Sequence, residues 1–201
     1  MKKWLILLTV SVSMSVSASP KSELSERLSK TEGFSASFSQ IVTAPDGEVI
    51  QRVSGTADIA RPSMFRWSTI EPDETELISD GDVVWYYEPF LEQVSIYNQK
   101  QAIGQTPFVL LTRNRQSDWD NYHVSQKDNR FTLEPVSENA TQGQFIIDVT
   151  AKGKIEGFSV VEQDGQISQF TFNTITIKTP AQERFTFTPP KGVEVYDERG
   201  N

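Results

Sequence analysis

ARPSMFRWSTIEPDETELISDGDVVWYYEPFLEQ, residues 60–93, is the stretch from which the fold can be read. At a period of two, Phe65 and Trp67 share one face of a strand, and Val83, Trp85 and Tyr87 share one face of another. Met64 and Ile70, then Val84 and Tyr86, load the opposite faces as well. A sheet with one wet side alternates cleanly instead. Arg61-Pro62 stands at the entrance, a fixed cation beside much aromatic surface. The pattern describes a sheet curled around an apolar interior, guarded by one arginine.

The flanking sequence keeps the strand rhythm. Upstream, Phe34, Ala36 and Phe38 alternate with Ser35, Ser37 and Ser39; Pro45-Asp46-Gly47 turns the chain, and residues 49–59 return it. Residues 64–70 end at Glu71-Pro72-Asp73, and residues 76–79 and 83–87 form a hairpin over Asp80-Gly81. Downstream, residues 122–126 face 131–134, and 145–150 face 155–162. Residues 167–175 follow, and 185–187 read as a last strand. Turn signals recur roughly every 8–12 residues, which indicates an antiparallel meander closing into a barrel or sandwich.

Two segments break that rhythm. Residues 22–31 read as a helix, with Ser22 as cap, Leu24 and Leu28 on one face, and Gly33 closing its end. Residues 106–114 begin with Thr106 as cap and Pro107 in the first turn, and are apolar nearly all round. Such a helix belongs under cover, plugging the mouth of a half-closed barrel.

Lys2 and Lys3, the apolar run 4–10 and Val16-Ser17-Ala18 have the layout of an export leader, so residues 1–18 are expected to be removed and 19–201 to form one domain. The apolar run is too short to span a bilayer, and no stable membrane insertion is expected. Without Lys2 and Lys3, the 19 basic residues become 17 against 27 acidic ones, a formal charge of −10. That sign argues against nucleic acid or an anionic membrane surface as the ligand. With zero cysteines the exported chain relies on packing alone, which fits a bacterial periplasm.

Little catalytic chemistry is present. The single histidine, His123, sits inside a predicted strand, and no thiol stands beside it, so zinc or copper ligand spacings are missing. No nucleophile elbow, phosphate loop or dinucleotide fingerprint occurs, and no cofactor is expected. Asp80-Gly81-Asp82 reads as a hairpin turn rather than a calcium loop. Glu71, Asp73, Glu74 and Glu76 surround Pro72 and read as a solvated turn. The expectation is no enzyme. Phe65, Trp67, Trp85, Tyr87 and Phe90 fit either an ordinary aromatic core or a ligand cavity.

The blocks ARPSMFRW, PDETELISDGDVVWYYEPFLEQ, TPFVLLTRN, SDWDNY, FSVVEQDGQ and FTFTPPKGV, in that order, resemble the periplasmic outer-membrane lipoprotein carrier family (LolA) over the whole mature chain. The resemblance implies an unclosed antiparallel β-barrel, mainly β, with short helices as a lid over an apolar cavity for lipoprotein acyl chains. It implies an inner-membrane lipoprotein-releasing ABC transporter as donor and an outer-membrane lipoprotein receptor as acceptor. A monomer is the expected carrier. The arginine of the family pattern falls on Arg61, whose expected partners are backbone carbonyls near Leu28, Leu111 and Thr112. Phe65 falls on a position for cavity lining and partner contact. The same role is expected of Trp67, Trp85, Tyr87, Phe90, Phe108 and Leu110. Asp58 stands where the family often has a large aromatic, which implies a wetter cavity rim. An envelope-stress sensor or lipid-binding regulatory module on the same scaffold is the alternative.

Overall fold

In the computed structural model, the residues described are 18–99, 109–113, 116–137 and 143–200. The leader expected over residues 1–18 therefore lies outside them except for Ala18. Twelve strands form a single sheet: β1 Gly33–Thr43, β2 Val49–Ala60, β3 Met64–Glu71, β4 Thr75–Ser79, β5 Val83–Glu88 and β6 Gln93–Asn98 in the first half. The second half contributes β7 Tyr122–Lys127, β8 Arg130–Pro135, β9 Gln144–Val149, β10 Ile155–Val161, β11 Ile167–Thr176 and β12 Glu194–Asp197. Their order is β12-β6-β5-β4-β3-β2-β1-β11-β10-β9-β8-β7. Neighbours are antiparallel except β12, which runs parallel to β6. The two edges, β12 and β7, are not paired with each other, so the barrel is unclosed.

The curl can be measured from side chains. Trp67 on β3 and Phe158 on β10 are four strand spacings apart, about 19 Å in a flat sheet. Their rings nevertheless stand 6.3 Å apart. The sheet has folded over until its concave face is its core.

Helix α1, Pro20–Ser29, lies across that concavity with Leu24 and Leu28 fully buried. Its cap is Ser19, whose Oγ accepts from the Ser22 amide at 3.2 Å. The cap falls three residues before the expected Ser22 because Pro20 occupies the first helical position, where a missing N–H costs nothing. Gly33 is not the helix stop but the first residue of β1: a Cβ there would sit 2.6 Å from the Ile59 carbonyl oxygen. Among the described residues, two one-turn helices, α2 Val109–Thr112 and α3 Gln116–Trp119, precede β7. α2 is the described part of the apolar plug, and Leu111 within it is fully buried.

Residues 185–187 form no strand. Gln182–Phe185 is a 3-10 turn in a strap that leaves β11 and crosses the convex face. Arg184 reaches Asp58 on β2, Phe187 lies 5.4 Å from Tyr87 on β5, and the chain then joins the sheet as β12 beside β6. The alternation of Phe185 and Phe187 imitates a strand, but both rings press down on strands already formed. Phe185 is 1% exposed.

The strap also explains Asp58. Its carboxylate accepts from Ser35 Oγ at 2.5 Å and from Arg184 Nε at 3.0 Å and Nη2 at 2.5 Å. It therefore clamps the convex face and does not wet the cavity rim. Asp58→Ala is expected to lower unfolding free energy by about 1–2 kcal/mol in urea denaturation, a charge-assisted hydrogen-bond loss discounted because Arg184 is half exposed.

Candidate functional site

Directly opposed residues of an antiparallel pair lie on the same side of a sheet, so the register sorts the aromatic set into two faces. One row runs Phe34, Ile59, Phe65, Ser79, Val84 and Tyr97; the next runs Ala36, Ala57, Trp67, Leu77 and Tyr86. Both rows line the concave interior. The row Asp58, Arg66, Ile78, Trp85 and Ile96 faces the other way, and so do Tyr87 and Val94.

The sequence-derived cavity set is thus divided. Phe65 and Trp67 are interior. Trp85 and Tyr87 lie on the convex face, where the strap's Phe187 covers Tyr87, and do not line the concavity. Phe90 belongs to neither surface: it sits in the 3-10 turn Pro89–Leu91 between β5 and β6, 92% exposed, beside exposed Leu91. Phe108 and the side chain of Leu110 lie outside the described residues.

Trp67 is the hub of the interior. It stacks on Phe38 at 4.1 Å and meets Phe170 at 5.7 Å and Phe172 at 6.1 Å, both edge-on. Phe158 stacks on Phe170 at 4.4 Å and tilts against Phe145 at 5.5 Å. Rings from β1, β3, β9, β10 and β11 therefore converge on one point. Aromatic contacts of this kind add about 0.5–1.5 kcal/mol beyond area burial.

Arg61 ties two helices together. It occupies the turn between β2 and β3, and its backbone N–H donates to Glu32 O at 2.9 Å. The guanidinium Nη1 donates to the carbonyls of Leu28 and Thr31, at the end of α1, and Nη2 donates to Leu111 O at 3.1 Å, on α2. Two of the expected acceptors, Leu28 and Leu111, are engaged. Thr112 is not; its carbonyl accepts instead from the Ser63 amide at 2.9 Å, and Thr31 takes the place it was expected to fill. Gln99 supports the same turn by donating to Ser63 O and, at 2.8 Å, to Ser79 Oγ. Nothing in the sequence singled out Ser63, Gln99 or Thr31, because the acceptors are backbone atoms and carry no residue signature.

The electrostatics of Arg61 are unusual. Arg61 makes no ion pair among the described residues, and its Nε is buried without a hydrogen-bond partner. Burial pushes its pKa below the ordinary arginine value, while Glu32 pulls it back up. A planar fork with five donors can gather carbonyls from two helices at once, which an ammonium on a flexible stem cannot do with the same geometry. The arrangement joins α1 to α2 beside the concave aromatic interior. Asp80, in the hairpin turn, spends its carboxylate on the amides of Asp82 and Val83.

The family model described as outer membrane lipoprotein carrier protein LolA matches residues 29–188. An outer-membrane lipoprotein carrier protein of Vibrio parahaemolyticus serotype O3:K6 is 62% identical over 182 residues, covering 90% of this chain and 88% of that protein. One from Vibrio cholerae serotype O1 is 52% identical over 199 residues, covering 99% and 100%. Among solved structures, an uncharacterized conserved protein from Thermus thermophilus superposes with a TM-score of 0.57 at 11% identity, over 88% of this chain and 98% of that one, a likeness of fold alone. The chain belongs to the outer membrane lipoprotein carrier protein LolA family.

Proposed function

We propose that this protein is a periplasmic carrier that shields the acyl chains of outer-membrane lipoproteins in transit. It takes them from an inner-membrane lipoprotein-releasing ABC transporter and gives them to an outer-membrane receptor. The observation that carries the reading is Arg61 fastening α1 to α2, by carbonyls alone, over a concave aromatic interior. The leader-like residues 1–18 support the compartment, and family membership supports the cargo.

Energetics favour a latch of moderate strength. Burying acyl chains gains about 0.8 kcal/mol per CH₂, so three ordinary chains would offer roughly 30 kcal/mol. Non-covalent affinity saturates near 18–21 kcal/mol, and cargo held so tightly would not be released. Breaking the Arg61 contacts and separating the interior rings offsets part of that gain. Cargo then shifts the population from closed to open, by no more than its differential affinity for the two states.

The test is isolation from the periplasm. A carrier yields a soluble one-to-one complex with a lipoprotein whose acyl chains resist extraction by detergent-free vesicles; protein that never co-purifies with lipoprotein overturns the reading. The Phe90 tip is proposed as a partner contact. Phe90→Ser is expected to change stability by less than about 0.5 kcal/mol, as for a substitution at an exposed site, while slowing transfer to or from a partner membrane. Unchanged transfer at both steps removes Phe90 from the partner surface.

A further inference from the structure

The last turn of α1 is gripped from two sides by two unlike arginines. On one side Arg61 holds it through carbonyls, with Nε unpaired. On the other side Arg27, itself part of α1 and 8% exposed, reaches into the far half of the sheet. Arg27 Nε donates to Glu23 Oε1 at 2.7 Å, and Nη1 donates to Asn129 Oδ1 at 2.8 Å and to Val149 O at 2.9 Å. Its guanidinium carbon lies 5.2 Å from the centre of the Phe131 ring.

The β9–β10 hairpin completes that side. Thr31 Oγ1 donates to Gly153 O at 2.8 Å and Lys30 Nζ to Ala151 O at 3.1 Å. Gly153 has φ +83°, and a Cβ there would stand 2.6 Å from Arg27 O, so helix and hairpin backbones touch. A buried cation is costly unless paired. Arg27 has a carboxylate, an amide oxygen, a carbonyl and a ring; Arg61 has carbonyls only. Of the two grips, the Arg61 side is the one set to release.

We infer that Arg27 is a positioning residue that pins α1 to β7–β9, so that opening is one-sided. When Arg61 lets go, α1 stays on the sheet as a fixed wall, and the α2 side of the mouth parts from it. This rests on the carrier reading only in taking the mouth to open; the test uses no lipoprotein, so each can fail alone.

Spin labels at Glu26 on α1 and Lys152 on the β9–β10 hairpin, and in a second sample at Arg113 and Lys152, report the two sides by pulsed distance measurement. In Arg61→Leu the first pair is expected to keep its narrow distribution and the second to broaden. Adding Arg27→Met is expected to broaden the first pair also. A first pair that broadens in Arg61→Leu alone, or that ignores Arg27→Met, overturns the inference. Asn129→Ala, which removes a single acceptor, covers the case in which Arg27→Met does not fold. Hydrogen exchange of α1 amides 23–28 is then expected to quicken about tenfold while the β1–β2 amides are unchanged, the scale of one hydrogen bond to a charged group. Equal acceleration in helix and sheet, or none, also overturns it.

Discussion

Arg61→Leu is expected to fold with a stability within about 1 kcal/mol of the parent and yet to lose hand-over of lipoprotein to an acceptor membrane. Two opposed effects set the first half of that result. The variant gives up three hydrogen bonds to carbonyls, each worth about 1.5–3 kcal/mol when the donor is charged. It also removes a cation buried without an ion pair, and replacing such a group by an apolar one of similar size is often neutral or stabilising. The second half follows because leucine cannot bridge α1 to α2. A shift of only 1.4 kcal/mol towards the open mouth is about a tenfold change in population. Loaded protein should accumulate, since closing no longer helps to expel cargo, and uptake of a hydrophobic dye should rise. Normal transfer to acceptor vesicles by a folded Arg61→Leu variant would refute the latch.

The largest effect on stability is expected from Phe158→Ala. Phe158 is 4% exposed and touches Trp67, Phe145, Phe170 and Phe172, so truncation removes a ring that meets rings from three other strands, β3, β9 and β11. Phenylalanine-to-alanine changes in cores cost about 3–5 kcal/mol. In a domain of this size that is roughly 6–20 °C in melting temperature. The functional readout should move the other way. If the interior is a collapsed chamber, the new void lowers the work of opening it, and a single-chain fatty-acid probe should bind more tightly to Phe158→Ala than to the parent. Destabilisation with unchanged or weaker probe binding would mark a solid core with no capacity for cargo.

Much of this fold is legible in the sequence, and the failures share a physical cause. Period-two alternation correctly puts Phe65 with Trp67 and Trp85 with Tyr87, because opposed faces follow from backbone geometry alone. It cannot say which face is inside. β3 to β5 are covered on both sides, by the packed interior on one and by the strap on the other, so both faces carry apolar side chains and the pattern is blind to direction. Trp85 and Tyr87 read as chamber residues for that reason. Asp58 is misplaced by the same ambiguity: it has the parity of Trp85 and belongs to the clamp beneath Arg184. β6 is absent from the strand reading because Gln93–Asn98 alternates weakly, and only pairing with β5 and β12 on both sides makes it a strand. The acceptors expected for Arg61 are readable only in part: Leu28 and Leu111 are engaged, and tertiary contacts choose Thr31 over Thr112.

On the proposed carrier reading, the ring stack around Trp67 would set how the protein recovers once its cargo has left. A vacated apolar chamber would otherwise be left either dry and empty or filled with poorly bonded water, both unfavourable. Here Phe38, Phe158, Phe170 and Phe172 close on Trp67 and occupy the space themselves. The protein's own side chains would then stand in for the departed tails, and its return to the resting shape would run downhill without fuel.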